Sequence, residues 1–309
     1  MISEADFVKT LNLTRVLAPE GKTLPIEVNN ANRPGMQFAD YWDFFPYERP
    51  QLLGKVEMTY LSQLHEDTRR ERLRKYFTYP LPCIIICRGY PCFDEMLVLA
   101  MARKVPIYST KKETTQFELE LIAYLRNELA PRETRHGVLV NVFGAGMMIT
   151  GNSGVGKSEA ALELVKRGHQ LVADDVVDIR RVEDNRLIGE SPELVRHFME
   201  IRGVGIIDVS TMYGAGAVLP SKRIDLVVHL ELWQADKEYD RLGLTDNYIE
   251  ILGVKVPSLL LPIHPGRNLA VVLEVAARNL RLKQMGYNAA NELTRRHMER
   301  AMRQAEEEA

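Results

Sequence analysis

The run Gly151-Asn152-Ser153-Gly154-Val155-Gly156-Lys157-Ser158 decides the fold class. It fits the phosphate-binding pattern G-x-x-x-x-G-K-[ST] at every position. Glycines let successive backbone N–H groups turn inward around a phosphate, where side chains would block approach. A helix beginning at the same point adds unpaired amides and the positive end of its dipole. In such a loop Lys157 bridges the β and γ phosphates, and Ser158 puts its hydroxyl on magnesium. The loop needs a strand before it and a helix after it, and the flanks supply both. Val138 to Phe143 and Met147 to Thr150 are apolar runs joined by Gly144-Ala145-Gly146, which predicts a hairpin. After the loop, Ala160, Ala161, Leu164 and Val165 share one side of a helix over 157–167, with Gly168 at its carboxyl-terminal cap. A dinucleotide fingerprint fails, because Gly144-x-Gly146 would need a third glycine where Ile149 stands.

A phosphate loop alone does not say what becomes of the γ-phosphate; a carboxylate nearby does. Leu171-Val172-Ala173 reads as the strand after the loop helix, and Asp174-Asp175 ends it. A parallel α/β arrangement brings that strand end beside the phosphate. One carboxylate is expected to hold magnesium through water and the other to accept a hydroxyl proton. Successive strand residues point to opposite faces, so one of the two should face the nucleotide. Arg135-His136-Gly137, Glu200-Ile201-Arg202-Gly203-Val204-Gly205-Ile206-Ile207-Asp208 and Pro265-Gly266-Arg267-Asn268 read, by physics alone, as turns and caps.

The chain has 309 residues, enough for about two domains of roughly 150 each. Pro131 marks a boundary, dividing an N-terminal α/β domain (1–130) of regulatory or assembly type from a catalytic P-loop domain (131–309). In the first, Leu24 to Val28 predicts a strand, Met58 to Tyr76 one helix, and Cys83 to Cys87 a buried strand. Val105 to Tyr108 predicts another strand and Thr115 to Leu129 another helix. At the far end, Leu269 to Met285 reads as an amphipathic helix, followed after Gly286 by a second. The fold class expected is α/β: a C-terminal P-loop kinase core with a mixed sheet, plus a smaller N-terminal α/β domain.

Lysine and arginine (40) nearly balance aspartate and glutamate (42), for a net charge of −2. That balance provides no global field for nucleic acid or an anionic membrane. No apolar run approaches the ~20 residues of a membrane helix, and the acidic amino terminus does not resemble a signal peptide. Three cysteines, Cys83, Cys87 and Cys92, form no disulfide framework, and a cytoplasmic location is expected. The basic run Arg69 to Lys75, with Glu66, Asp67 and Glu71 intermixed, reads as a solvated helix face.

The ordered set of motifs resembles the bacterial HPr kinase/phosphorylases. It comprises Arg135-His136-Gly137, Gly151 to Ser158 followed by Glu159, Asp174-Asp175 and Glu200 to Asp208. It continues with Glu238-Tyr239-Asp240-Arg241, Pro265-Gly266-Arg267-Asn268 and Met285-Gly286-Tyr287-Asn288. Arg33-Pro34-Gly35 and Gln51 to Glu57 match more loosely. The resemblance implies an enzyme that uses ATP and Mg2+ to phosphorylate a serine of HPr, the small phosphocarrier of the sugar phosphotransferase system. It also implies the reverse phosphorolysis, in which inorganic phosphate attacks phosphoserine and pyrophosphate leaves.

Carried over residue by residue, the catalytic set is His136, Lys157, Asp175 and Arg241. The nucleotide loop is Gly151, Asn152, Ser153, Gly154, Val155, Gly156, Lys157 and Ser158, and the metal ligands are Ser158 and Glu200. The dephosphorylation loop is Pro262, Ile263, His264, Pro265, Gly266 and Arg267. Asp175 is the base toward serine and, protonated, the acid in reverse. A homohexamer is implied as well. His264 stands where the family has arginine; shorter and mostly neutral at pH 7, it predicts weakened phosphorolysis. Two other readings are a P-loop kinase of a small metabolite and a non-catalytic nucleotide-gated switch.

Overall fold

The computed structural model describes residues 2–18, 23–182, 185–237, 239, 247–264, 266 and 268–307. The chain divides into two compact units, Met1–Ala130 and Pro131–Ala309. The first opens with β1 (Ile2–Ser3), α1 (Glu4–Leu11), β2 (Thr14–Leu17), β3 (Thr23–Leu24) and α2 (Gly35–Phe38). It continues through β4 (Gln51–Leu53), α3 (Lys55–Gln63), α4 (Glu66–Tyr76) and β5 (Ile84–Ile86), then α5 (Asp94–Arg103), β6 (Ile107–Ser109) and α6 (Thr114–Glu128). Its sheet runs β2-β6-β5-β4, with β4, β5 and β6 parallel and β2 antiparallel. The isoleucines of β5 show why that strand is apolar throughout. Ile85 packs with Phe117, Leu121 and Leu125 on one face, while Ile84 and Ile86 pack with Met58, Leu61 and Leu73 on the other. A strand buried on both faces loses the apolar–polar alternation.

Two expectations for this unit are corrected. The helix predicted over Met58 to Tyr76 is two helices, because Leu64 and His65 take extended backbone (ψ 145° at each) between α3 and α4. The strand predicted over Leu24 to Val28 pairs only at Thr23–Leu24. Pro25 has no N–H to continue the ladder, although Leu24 and Ile26 are both fully buried.

The second unit contains β7 (Arg132–His136), β8 (Val138–Val142), β9 (Ala145–Gly151), α7 (Lys157–Lys166), β10 (Gln170–Ala173), β11 (Val176–Val182) and β12 (Arg186–Glu190). Next come β13 (Phe198–Ile201), β14 (Gly205–Asp208), α8 (Val209–Tyr213), β15 (Ser221–Arg223) and β16 (Leu226–Leu232). Finally β17 (Asn247–Ile251), β18 (Val254–Ile263), α9 (Leu269–Gln284) and α10 (Ala289–Glu307) complete it. A six-stranded mixed sheet, β10-β8-β9-β16-β18-β17, carries α7 and α9 on one face. On the other face lies a four-stranded antiparallel sheet, β15-β12-β11-β7. Alternation along the central strands serves both layers. Met147, Ile149, Val228 and Leu230 meet the helices; Met148 and Val227 meet Val177, Ile179 and Leu187 of the second sheet.

The strand after the loop helix does not sit beside β9. It pairs antiparallel with β8, which is antiparallel to β9, so β10 runs in the direction of β9 with one strand between. β16 is parallel to β9, and β18 is parallel to β16. The carboxyl ends of β9, β10, β16 and β18 therefore share one edge of the sheet, the place where open α/β sheets gather ligands.

Candidate active site

Gly151 ends β9 at φ +142°, and a Cβ there would stand 2.4 Å from Leu230 O of the paired strand β16. Only glycine lets the two strands close at this point. The loop then leads into α7, at whose first residue Lys157 Nζ donates to Gly151 O and Asn152 O, both at 3.0 Å. The ammonium thus folds back over the loop onto neutral acceptors. A phosphate oxygen is the stronger acceptor for the same charged donor.

Both aspartates lie just past the end of β10. Asp174 is buried, and its Oδ1 accepts the Ser158 hydroxyl at 2.8 Å while its Oδ2 accepts the Glu200 N–H at 3.3 Å. Burial pushes the Asp174 carboxyl above its ordinary value, and the Ser158 hydrogen bond opposes the rise. Asp174 therefore ties the phosphate loop to the β13–β14 hairpin. The side chain of Glu200 itself is exposed.

Asp175 turns the other way. Its backbone is left-handed (φ +63°), its carbonyl accepts the Gly137 N–H at 2.9 Å, and its carboxylate lies open to solvent. The β7–β11 ladder pairs His136 with Val176, which brings His136 Nδ1 to 3.8 Å from Asp175 Oδ1.

The hairpin also reaches the loop at its tip, where Arg202 Nη2 donates to Ser153 Oγ at 3.0 Å. Across the edge, Trp233 N–H donates to Ile263 O at 3.0 Å, and the Trp233 and His264 rings lie 4.9 Å apart at 31°. Pro262 pairs with Glu231 in the β16–β18 ladder, and Gly266 takes φ +84°. Asn268 caps α9, its Oδ1 accepting the Val271 N–H at 3.3 Å. Arg241, Pro265 and Arg267 lie outside the described residues, as do Glu238 and Asp240.

The spacing of residues does not single out Glu231, His229 and Lys237, yet the structure sets them beside the loop. Leu230 pairs with Gly151, so Glu231 follows at the start of the loop. The signal is the apolar run of β16 closing on a carboxylate. Arg202 stands within a quoted motif but draws no role from it; its length and the hairpin turn supply the reach. Among the described residues, no group of three or more His, Cys, Asp or Glu side chains is placed to hold a metal ion. No described helix is long and apolar enough to cross a membrane. What the edge can do chemically is cradle a polyphosphate and present a solvent-facing carboxylate next to it.

The sequence matches the family described as HPr Serine kinase C-terminal domain over residues 127–297, and HPr Serine kinase N terminus over residues 2–125. A protein named HPr kinase/phosphorylase from Caldanaerobacter subterraneus subsp. tengcongensis is 50% identical over 295 residues, covering 96% of this chain and 97% of its own length. Its namesake from Geobacillus thermodenitrificans is 48% identical over 291 residues, covering 94% of each. A solved structure, the Hpr(Ser) kinase/phosphatase from Coxiella burnetii, is 38% identical and covers 50% of this chain and 99% of its own, with a TM-score of 0.46. Matched along both units and aligned nearly end to end with such relatives, the chain belongs to the HPr serine kinase family.

Proposed function

We propose that this protein transfers the γ-phosphoryl group of ATP to a serine hydroxyl of HPr, and that it runs the reverse phosphorolysis with inorganic phosphate. One observation carries the reading: Asp175 is a solvent-open carboxylate directly beside Asp174, which touches the P-loop serine. A base that open suits a hydroxyl on the surface of another protein. The reading of a small-metabolite kinase, or of a non-catalytic switch, draws no support from the relatives' names.

In the forward direction Asp175 takes the serine proton as the oxygen attacks the γ-phosphorus. His136 stands 3.8 Å from that carboxylate, close enough to approach it or the incoming phosphate. Lys157 leaves its two backbone acceptors to meet the phosphate charge. In reverse, phosphate attacks phosphoserine, the serine oxygen leaves with the proton of Asp175, and pyrophosphate results. Arg241, by resemblance, adds positive charge. The Ser158 hydroxyl and Asp174 carboxylate are hard oxygen donors 2.8 Å apart, which fits magnesium; Ser158 and Glu200 would hold it with the nucleotide phosphates. When bound, the ion neutralises phosphate charge.

His264, its ring 4.9 Å from that of Trp233 at 31°, is shorter than arginine and lacks its two-pronged donor, so it gives phosphate a weaker contact and phosphorolysis is weakened here. The homohexamer and the regulatory or assembly role of the first unit belong to the same proposal. The test is the intact mass of HPr after incubation with protein, Mg2+ and ATP. One added phosphate, lost with Asp175→Asn, is expected; HPr left unmodified by a wild-type protein that binds ATP would refute the reading. His264→Arg should raise phosphorolysis, and no gain would refute the role given to His264.

A further inference from the structure

A polar pocket of about 430 Å³ is lined by Asn152–Val155 of the phosphate loop and by the end of β16 and the residues after it. Its chemistry is not that of a phosphate site. Lys237 is the sole lysine or arginine among its described lining residues, and Lys237 Nζ already donates to both Glu231 oxygens, at 2.9 and 2.8 Å. Glu231, with Lys237 holding its carboxyl below the ordinary value, brings a negative charge that would repel a phosphate. The remaining polar lining is hydrogen-bonding: the Gln234 amide, Asn152, Ser153 and His229, whose Nδ1 lies 3.1 Å from Thr150 Oγ1.

Amide, hydroxyl and imidazole groups around one carboxylate match a sugar diol and a base. A carboxylate at a strand end accepting ribose hydroxyls is a recurring solution in α/β nucleotide sites. The pocket also shares Asn152 to Val155 with the phosphate loop, so a nucleoside attached to loop-bound phosphates reaches it without a spacer.

We infer that this pocket takes the nucleoside part of the nucleotide, with Glu231 accepting the ribose 2′ and 3′ hydroxyls and Gln234 meeting the base. The inference rests on the P-loop reading above and adds the residues that separate ATP from bare polyphosphate.

Calorimetric titration of the full chain tests it, using Mg-ATP, Mg-tripolyphosphate and Mg-2′,3′-dideoxy-ATP as probes. Glu231→Gln and Gln234→Ala should each weaken ATP about 10-fold, as expected when a hydrogen-bonding partner of the nucleoside is lost, and leave tripolyphosphate within about twofold. Dideoxy-ATP should bind the wild type weakly and lose nothing further in Glu231→Gln. Unchanged ATP affinity in both variants, or an equal loss for ATP and tripolyphosphate, would overturn the inference. Retained tripolyphosphate binding also shows that the variants are folded. Lys157→Ala reports on the underlying reading separately: it should lose both ATP and tripolyphosphate. Wild-type tripolyphosphate binding by that variant would overturn the P-loop reading and this inference with it.

Discussion

Replacing Gly151 by alanine tests whether the phosphate loop is held by backbone contact rather than by side chains. The new Cβ would lie 2.4 Å from Leu230 O, against an ordinary carbon–oxygen contact of about 3.3 Å, so β9 and β16 must part by roughly 0.9 Å. Their ladder cannot absorb that locally, because Leu230 is the residue paired with Gly151. The strain of an L-residue at φ +142° adds about 1–2 kcal/mol, and the overpacking about 1–3 kcal/mol. Together these come to about 2–5 kcal/mol, which lowers the melting temperature of a domain this size by roughly 4–20 °C. Gly203→Ala is the control: it has φ +82° but nothing within 4 Å of the added Cβ, so it carries the backbone strain alone. Scanning calorimetry of each variant beside the wild type reads both shifts. Equal falls for Gly151→Ala and Gly203→Ala, or a fall under about 2 °C for Gly151→Ala, would refute the close-approach argument.

Arg202→Ala removes the contact between the β13–β14 hairpin and Ser153, an exposed hydrogen bond. Amides of 200–208 should exchange faster by hydrogen–deuterium exchange while global stability changes by less than about 1 kcal/mol; unchanged exchange would mean that the contact does not restrain the hairpin. In the first unit, Arg15 Nη2 lies 2.8 Å from Glu4 Oε2, and Arg15, with Tyr108, holds the Glu4 carboxyl below its ordinary value. A lowered carboxyl contributes stability above its unfolded-state value, and that contribution is lost as pH falls through the folded one. Arg15→Met should therefore flatten the decline in urea midpoint between neutral pH and pH 3, and an unaltered slope would count against the pairing.

How much of this site could be read from the chain follows from where each residue's constraint arises. Gly151 to Ser158 are legible because backbone geometry around a phosphate dictates residue type position by position. The hairpin before them and the helix after them are legible for a similar reason, since Gly144 and Gly168 take φ +85° and +90° in turns set by a few neighbouring residues. The split at Leu64 is different. Charged and apolar residues keep helical spacing across it, and what turns the chain is the packing of Leu64 against a core built by β4, β5 and β6. Glu231 is more remote still: it becomes a loop neighbour only through the parallel β9–β16 ladder, which joins residues some eighty positions apart in the chain.

The pair His136 and Asp175 shows the same limit from within the site. His136 is marked by family resemblance and Asp175 also by its place after the loop helix and strand, but their meeting depends on the β7–β11 ladder and on a left-handed Asp175. The expectation that one of two adjacent aspartates would face the phosphate rested on strand alternation, yet neither residue is in the strand. Asp174 faces the loop because Ser158 and the Glu200 amide hold it there, and Asp175 faces outward because its own backbone reverses. The opposite facing of the two carboxylates is therefore a property of the turn after β10. A substitution that changes the turn, with both aspartates intact, would disturb it as surely as removing either one.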